Sequence, residues 1–391
     1  MSKTVYLDHN ATTPVLPVVA DAMREAEQHG FANPASQHGP GRDARRIVER
    51  ARERLLSLLG GEPNGMAADR LVFTSGGSEA NDLALRGLLS SRPKRLVISA
   101  IEHPSISATA DRLEQEGVQV DRLPVDSRGV ANLEELRRLL TTGDPVGLVS
   151  LMLANNETGV LQPVAEAARL CRESGVPLHT DAVQAVGKIT VDFRSLGVAA
   201  LTFTAHKFHG PLGVGGLLLR HDAQIEPRFF GGHQQAGLRP GTESAPLAAG
   251  AEAALTAWHK ESGERQERTA RLRDHLERGI LQIDPQAQLI GGGAERLPHT
   301  SCVAFPGADR QALVMAYDLA GVACATGSAC ASGSSEPSPT LLAMGLPSEV
   351  VGGAIRLSLG ATTTPDEIDL AIHRMKAVHG SVATVGQAAV D

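Results

Sequence analysis

The sequence predicts an α/β protein, with a large domain built on a mostly parallel sheet flanked by helices and a smaller α+β domain. One reason is that apolar runs of strand length alternate with helical patterns between about residues 15 and 254. A second is that polar side chains follow the downstream ends of the strand candidates, as they do where ligands bind at the edge of a parallel sheet. A third is that 391 residues are enough for two or three domains.

The alternation is seen in five strand candidates and three helix candidates. The strands are residues 70–73, 95–100, 146–153, 175–180 and 199–204, and the helices are residues 79–89, 133–140 and 164–173. Such an order is typical of βαβ units, whose strands are parallel. Residues 15–254 are therefore expected to form the large domain.

A different pattern begins at residue 254. Residues 254–283 predict one long charged helix, because Trp258, Leu272, Leu276 and Ile280 recur near the helical period. The elements predicted after it are a strand (300–305), a helix (310–320), a Gly/Ser-rich loop (326–338), a strand (354–359) and a last helix (365–378). We expect these elements and the N-terminal segment to form the small domain, over residues 1–14 and 255–391.

Composition and charge exclude several classes of function. The net charge of −7 disfavours a general nucleic-acid or anionic-membrane surface. No apolar run approaches the roughly 18 residues of a membrane span, and the N-terminus lacks a secretory signal, so we expect a cytoplasmic protein. The four cysteines show no Cys-x-x-Cys pairing and are expected to be reduced thiols.

Lys207 and Asp181 follow two of the apolar runs, residues 199–204 and 175–180. A lysine at such a position can hold the aldehyde of pyridoxal phosphate, and a carboxylate can keep the pyridinium nitrogen of that coenzyme protonated. A buried ion pair between the two residues is the alternative. The other polar strand ends are expected to converge on the same crevice, and this favours the coenzyme.

A phosphate site is predicted where a strand meets a helix. Gly77 and Ser78 lie at that junction, where backbone N–H groups and the helix dipole can receive a phosphate. Thr204 and His206 can complete the site. A plain helix cap is the alternative for the glycine turn. His206 and His209 could instead bind zinc, but no third ligand of matching spacing is present in the sequence, and we expect no metal in the resting protein.

Three polar residues are candidates for contacts with the coenzyme ring. His103 follows residues 95–100, and its ring can stack on the coenzyme and transfer protons; a surface-loop histidine is the alternative. Asn156 and Gln184 are neutral donors that could bind the phenolic oxygen of the coenzyme.

Cys330 and Arg356 are the candidates for chemistry on a substrate. Cys330 lies in a stretch without large side chains, which suits a nucleophile that collects an atom in one place and delivers it in another. Cys171, Cys302 and Cys324 lie in apolar elements and are expected to be inert. Arg356 is a charge inside a strand candidate, where it can bind a carboxylate with two hydrogen bonds; a structural ion pair is the alternative.

With these residues identified, the chain resembles the cysteine desulfurases of the NifS/IscS type, which are fold type I pyridoxal phosphate enzymes of aminotransferase class V. The similar blocks run nearly end to end. They are residues 6–14, 33–36, 73–81, 102–103, 155–159, 179–184, 206–207 and 327–330. The resemblance implies a seven-stranded sheet in the large domain and a mobile cysteine loop at about residues 326–338.

The resemblance also implies a role for each matched residue. Lys207 would form a bond to the coenzyme, Asp181 would pair with the ring nitrogen, and His103 would stack on the ring. Asn156 and Gln184 would contact ring substituents, and the phosphate would be bound by Gly77, Ser78, Thr204 and His206. Thr242 would reach the phosphate of the other subunit in a homodimer, and Asn33 and Arg356 would hold the substrate carboxylate. The sequence departs from the family pattern at Gln235-Ala236, Pro240 and Thr204.

The implied activity is conversion of L-cysteine to L-alanine, with the sulfur atom transferred to Cys330 as a persulfide. The persulfide would serve an acceptor protein in iron–sulfur cluster assembly or tRNA thiolation, and Cys330 could be a transient iron–sulfur ligand. A selenocysteine lyase or a class V aminotransferase would share the lysine and the aspartate without needing a mobile thiol. A non-catalytic sulfur-transfer scaffold would need no coenzyme.

Overall fold

The computed structural model describes residues 4–327 and 336–388, in which there are twelve strands. Their bounds are β1 (Val5–Tyr6), β2 (Arg70–Thr74), β3 (Arg95–Ser99), β4 (Gln119–Leu123), β5 (Leu148–Ser150), β6 (Leu178–Asp181), β7 (Ala200–Thr204), β8 (Gly215–Leu219), β9 (Gln288–Ile290), β10 (Thr300–Ala304), β11 (Val322–Ala323) and β12 (Ala354–Ser358).

The same ranges contain twelve α-helices. Their bounds are α1 (Pro17–His29), α2 (Gly39–Leu58), α3 (Gly77–Leu89), α4 (Pro104–Gln115), α5 (Leu133–Thr141), α6 (Val164–Glu173), α7 (Phe193–Leu196), α8 (Ala245–Ile283), α9 (Arg310–Leu319), α10 (Pro339–Ala343), α11 (Ser348–Gly352) and α12 (Pro365–Ala388).

The largest sheet has seven strands in the order β2-β8-β7-β6-β5-β3-β4. The strands from β7 to β4 are mutually parallel, and β8 runs antiparallel to both of its neighbours. One apolar cluster, which includes residues of α3 and α4, covers one face, and a larger cluster with residues of α2, α6 and α8 covers the other. The predicted mostly parallel, seven-stranded sheet is thus confirmed.

Two glycines let β8 lie close to the turn that precedes α3. A Cβ atom on Gly215 would lie 2.7 Å from the carbonyl carbon of Gly76, and one on Gly216 would lie 2.4 Å from the ring of Phe203. Side chains at either position would push β8 away from the sheet. Gly215 therefore lets β8 lie against the turn, and Gly216 makes room for Phe203 of β7.

The ends of β6 and β7 bring the two charged candidates together. Asp181 is the last residue of β6 and lies opposite Thr202 of β7, and Lys207 lies in a short 3₁₀ helix that follows β7 directly. Strand β6 begins at Leu178, later than the predicted 175. The reason is that Gly175, with φ of 67°, and Val176, whose N–H donates to the Cys171 carbonyl, still cap α6.

The strands after α8, together with β1, form smaller sheets. Strands β12, β10 and β9 make an antiparallel sheet, and β1 pairs in parallel with β11. A separate apolar cluster joins Val5 and Leu7 with Ile355, Leu357 and side chains of α12. The N-terminal segment therefore packs with the C-terminal part, and the division into two domains at residues 14 and 254 stays a prediction.

Helix α8 takes part in two apolar cores. Ala245 to Trp258 pack in the cluster under the large sheet, whereas Leu272, Leu276 and Ile280 pack in the cluster of the smaller sheets. The helix begins nine residues before the predicted 254, since the Ser244 side chain accepts a hydrogen bond from the Leu247 N–H and caps it.

Gly263 lies on the exposed face of α8 between these two cores, and no atom lies within 4 Å of the position that a Cβ would take. Gly263→Ala is expected to raise the free energy of unfolding by about 0.5–1 kcal/mol, because glycine loses more backbone entropy in a helix than alanine does. Urea unfolding followed by circular dichroism measures the change. Gly279→Ala, in the same helix, is the control, since its Cβ would lie 2.5 Å from the Ile372 side chain and the gain should be lost.

Candidate active site

Lys207 reaches the N-terminal segment. Its ammonium donates hydrogen bonds to the carbonyl oxygens of Asn10 and, at 2.8 Å, Ala11. Thr13 holds the lysine turn in place, because its hydroxyl donates to the His206 carbonyl at 2.7 Å and accepts from the His209 N–H at 2.6 Å. The lysine is therefore positioned by residues far from it in sequence.

Asp181 is buried and held from two sides. Its Oδ2 accepts a hydrogen bond from Asn81 Nδ2 at 2.7 Å, and its Oδ1 accepts from the Val183 N–H at 2.9 Å. Asn81 also donates to the Ser105 hydroxyl at 2.9 Å. These bonds orient the carboxylate and leave lone pairs for a third donor such as a pyridinium N–H.

His103 caps α4 and lies near Asp181 and Lys207. Its Nδ1 accepts a hydrogen bond from the Ser105 N–H at 3.1 Å, which assigns the ring proton to Nε2. Burial lowers the pKa of His103, the Lys207 and Arg356 charges lower it further, and the Asp181 carboxylate opposes them. The ring is therefore neutral at pH 7 and presents an Nε2–H.

Three of the predicted phosphate residues lie at the N-terminus of α3, namely Gly77 and Ser78, which begin the helix, and Thr204 beside them. A Cβ on Gly77 would lie 3.8 Å from the Thr204 side chain, so this turn and the end of β7 are neighbours. The Thr204 hydroxyl donates to the Val214 carbonyl at 3.1 Å. Burial, followed by the charge of Lys207, lowers the pKa of His206 to about 4, so its ring is neutral. Ser78 is exposed at the turn and open to a ligand.

Arg356 is buried in β12 and joins three segments. Its Nη1 donates to the Asn156 carbonyl at 3.0 Å and its Nη2 to Asp8 Oδ1 at 2.7 Å, while its Nε has no partner among the described residues. The structural ion pair considered from the sequence is thus present with Asp8. The Nε–H is therefore a hydrogen-bond donor without an acceptor among the described residues.

Two predicted residues, Asn33 and Thr242, are exposed in this one chain. Asn33 is exposed, and its Oδ1 accepts from the Ala35 N–H at 2.9 Å, which forms a local turn. Thr242 is exposed in the segment before α8. Within the described part of this one chain, no hydrogen bond connects either side chain to Lys207, Asp181 or Arg356.

Comparisons with known proteins identify the family of the chain. A model of the aminotransferase class V family matches residues 5–370. The chain is 45% identical over 372 residues to the cysteine desulfurase of Cereibacter sphaeroides, which covers 93% of both proteins. It is 39% identical to the cysteine desulfurase NifS of Azotobacter vinelandii, over 97% of this chain and 94% of that protein.

The chain belongs to the cysteine desulfurases of aminotransferase class V. Its structure is also similar to that of a NifS-like protein from Rickettsia africae, with a TM-score of 0.88 and 30% identity over 96% of this chain and 99% of that one. The resemblance stated from the sequence is confirmed, and with it the fold. Enzymes of this family use pyridoxal phosphate.

Unpaired polar atoms of this desulfurase fit that coenzyme. Asn156 Nδ2 and Gln184 Oε1 are buried without a partner among the described residues, and both belong to residues expected at the phenolic oxygen. Gln184 donates through Nε2 to the Asn10 carbonyl at 3.1 Å, so in this orientation it presents an acceptor rather than the expected donor. With Asp181 and the open turn at Gly77, these atoms match a ring with a nitrogen, a hydroxyl and a phosphate.

Asn10 connects the residues of the desulfurase site, and the sequence patterns alone did not assign it a role. Its carbonyl accepts from Lys207 and Gln184, and its Nδ2 donates to the Asn156 carbonyl at 3.2 Å. Its Oδ1 accepts from His299 Nε2 at 2.9 Å. The polar run that follows Leu7 was the available signal, because it comes directly after an apolar strand.

Glu102 is a second residue without an assigned role. Its Oε1 accepts from the Met152 N–H at 2.7 Å, and its Oε2 has no partner among the described residues. Burial, with the Asp181 charge in second place, raises the pKa of Glu102 well above its usual range. The raised pKa favours the protonated carboxyl, a form that adds no negative charge beside Asp181.

Cys330, the predicted nucleophile, lies outside the described residues. The flanks of its segment converge on Glu157: the Ser338 hydroxyl donates to Glu157 Oε2 at 2.7 Å, and a Cβ on Gly327 would lie 2.8 Å from the same oxygen. The other thiols are protonated at pH 7. Burial raises the pKa to about 12 for each of these thiols, which are Cys171, Cys302 and Cys324.

The two histidines of the His-x-x-His pattern have other partners. His206 Nδ1 contacts the Thr12 hydroxyl at 3.2 Å, whereas His209 Nδ1 donates to the Pro14 carbonyl and its Nε2 accepts from the Ala361 N–H. Residues 4–327 and 336–388 contain no cluster of three or more His, Cys, Asp or Glu that could hold a metal ion. No helix in these ranges is both long and apolar enough to span a bilayer.

Proposed function

We propose that this enzyme removes sulfur from L-cysteine, releases L-alanine and receives the sulfur atom on Cys330 as a persulfide. The observation that carries the proposal is that Lys207 and Arg356 both bind one short segment, residues 8–11. The lysine binds the carbonyls of Asn10 and Ala11, and the arginine binds Asp8. An amine and a carboxylate receptor are thus close enough to act on one amino acid.

Pyridoxal phosphate, when bound, supplies an aldehyde for the substrate amine and a ring that accepts electrons. The phosphate would lie on the N–H groups of Gly77 and Ser78, with Thr204 and His206 beside it. Asp181 would hold the proton of the ring nitrogen, and the neutral ring of His103 would stack on the coenzyme.

The side chains of this enzyme perform the remaining work. Arg356 holds the substrate carboxylate, with Asn33 as the second proposed ligand, and the Lys207 amine takes the Cα proton. The Cys330 thiolate attacks the substrate sulfur, so that the Cβ–S bond breaks and an S–S bond forms. Cβ gains a proton, and the sum is L-cysteine plus a thiol giving L-alanine plus a persulfide.

The purified, coenzyme-loaded enzyme tests this proposal. With L-cysteine and a dithiol reductant we expect alanine and sulfide in equal amounts. Without the reductant, mass spectrometry should find one added sulfur atom on Cys330. Pyruvate or a transaminated product in place of alanine would instead favour a class V aminotransferase.

A homodimer and a sulfur acceptor belong to the same proposal. Thr242 is exposed, and so are Phe229 and Phe230 in the preceding segment, which a second copy of the chain would cover. Thr242 would then reach the phosphate site of the partner subunit. The persulfide would pass to an acceptor protein, for which an iron–sulfur scaffold and a tRNA-thiolation protein are equal candidates.

Arg356→Lys is expected to raise the KM for L-cysteine about 10- to 100-fold with a smaller change in kcat, because an ammonium cannot bind a carboxylate through two parallel hydrogen bonds. Steady-state kinetics with L-cysteine and with cysteamine, which lacks the carboxylate, measures the effect. The preference of the wild type for L-cysteine should shrink in the variant. An unchanged preference would show that Arg356 serves only the ion pair with Asp8.

A further inference from the structure

Glu79 places a carboxylate beside the proposed phosphate site. It is the third residue of α3 and directly follows Gly77 and Ser78, whose N–H groups have no acceptor within the helix and would receive the phosphate. The Glu79 Oε2 accepts a hydrogen bond from the Ser75 N–H at 2.6 Å, so its side chain folds back over the turn before the helix. A charged carboxylate in this place repels a phosphate that binds to the same turn.

Arg239 compensates the charge of Glu79. Its Nε donates to Glu79 Oε1 at 2.7 Å and its Nη2 donates to Glu79 Oε2 at 3.3 Å, so the two side chains form an ion pair with two hydrogen bonds. Burial acts to raise the pKa of Glu79, but the hydrogen bonds from Arg239 and Ser75 outweigh it and bring the pKa below its usual value. The carboxylate is therefore charged at pH 7, and only 15% of its side chain is exposed to screening by solvent.

Arg239 belongs to residues 234–243, a segment that precedes α8 and is anchored by the buried side chain of Gln235. Gln235 Oε1 accepts hydrogen bonds from the Phe73 N–H at 2.9 Å and from Arg52 Nη1 at 2.6 Å. Its Nε2 donates to Glu243, near the other end of the segment. One side chain therefore ties both ends of the segment to β2 and α2.

The backbone of this segment is strained where it is anchored. Gln235 and Ala236 have φ angles of 54° and 56°, in the left-handed region that residues with a side chain adopt at a cost in energy. Such a conformation persists only where surrounding contacts hold it, and here the hydrogen bonds of Gln235 do so. The segment is thus fixed on both sides of the phosphate turn, at Phe73 before it and at Glu79 after it.

We propose that Arg239 is a positioning residue for the coenzyme phosphate, because it neutralises Glu79 and joins residues 234–243 to the phosphate turn. This role rests on the proposed function, which places the phosphate on Gly77 and Ser78. The same segment contains Thr242, which would reach the phosphate of the partner subunit. The ion pair would then link the phosphate site of each subunit to that of the other.

Coenzyme affinity tests this role without catalytic turnover. Coenzyme-free protein is titrated with pyridoxal phosphate and with pyridoxal, which lacks the phosphate, and the change in absorption gives each dissociation constant. Arg239→Gln should raise the dissociation constant of pyridoxal phosphate about 10- to 100-fold and that of pyridoxal less than about twofold, since only the phosphate meets the uncompensated carboxylate. An equal loss for both ligands, or no loss for either, would overturn the proposal.

Glu79→Gln provides a test of opposite sign. Glutamine keeps an acceptor for the Ser75 N–H and removes the charge, so this variant should bind pyridoxal phosphate at least as tightly as the wild type. Added to Arg239→Gln, it should restore most of the lost affinity. A double variant that binds no better than Arg239→Gln would contradict the proposal. If Arg239→Gln does not fold, Glu79→Gln decides alone, because weaker binding of pyridoxal phosphate would then exclude the role.

Arg86→Gln is the matched control. Arg86 lies towards the other end of α3 and pairs with Asp82 at 2.9 Å and with Glu116 at 2.8 Å. Its variant should keep both dissociation constants at the wild-type values. No substrate is present in these titrations, so a failure of the proposed desulfurase activity, seen as missing alanine, is distinguishable from a failure of this role.

Discussion

Replacing Cys330 by serine is expected to lower the rate of alanine formation from L-cysteine by about 10³-fold, while the visible absorption of the bound coenzyme stays unchanged. The hydroxyl of serine is a far weaker nucleophile than a thiolate and cannot form the S–S bond that takes up the substrate sulfur. Alanine quantified by chromatography, together with the absorption spectrum, measures both parts of the expectation.

Cys171→Ala is the matched control for this experiment. Cys171 is buried in α6, and burial raises its pKa to about 12, so its thiol takes no part in nucleophilic chemistry. Its variant should form alanine at the wild-type rate. Undiminished desulfuration by Cys330→Ser would disprove the role of Cys330, because the sulfur would then leave by another path.

The Cys330 variant also separates the remaining alternative. A selenocysteine lyase does not need a thiol to accept the chalcogen, so it would retain alanine formation from L-selenocysteine after the substitution. A cysteine desulfurase would lose alanine formation from L-cysteine. Running both substrates with both proteins therefore distinguishes the two activities.

Lys207→Ala is expected to lower alanine formation by about 10³-fold or more, because it removes the amine that we propose both holds the coenzyme and takes the Cα proton. Borohydride reduction followed by peptide mass spectrometry should find the coenzyme attached to residue 207 in the wild type and no attached coenzyme in the variant.

Lys188 is the reason why the peptide that carries the reduced coenzyme has to be identified. It is a second buried amine near Lys207, and its pKa of about 7 leaves a large neutral fraction at pH 7 that could react with an aldehyde. The adduct is nevertheless expected on residue 207 alone, since Lys188 faces a cavity of only about 20 Å³. Coenzyme attached to residue 188 in the wild type would overturn the assignment of Lys207.

The fold could be predicted from the sequence where local pattern and tertiary structure agree. Helix α6 has the predicted bounds, and Asp181 and Lys207 lie at neighbouring strand ends as expected from parallel strands. The start of α8 was predicted too late, because the cap at Ser244 precedes a run of small residues whose apolar period is weak. Local signals fix element type better than element ends.

Contacts between distant segments could not be predicted in the same way. Asn10 binds Lys207, Gln184 and His299, and Asp8 pairs with Arg356 across 348 positions of sequence. No periodicity reports such pairs, since they depend on how two sheets meet. The candidate residues were found because their chemistry is unusual for their position, and the residues that orient them were not.

The way α8 is shared between two cores has a consequence for how the molecule resists heat. The helix has 39 residues and is therefore roughly 58 Å long, and each half is clamped by a different set of apolar side chains. When either core loosens, the half of α8 that packs in it is released, and apolar surface of the other half of the helix becomes exposed. The two parts of the chain should therefore melt as one cooperative unit, and the Lys207 amine and the Arg356 guanidinium should keep their separation until both cores are lost.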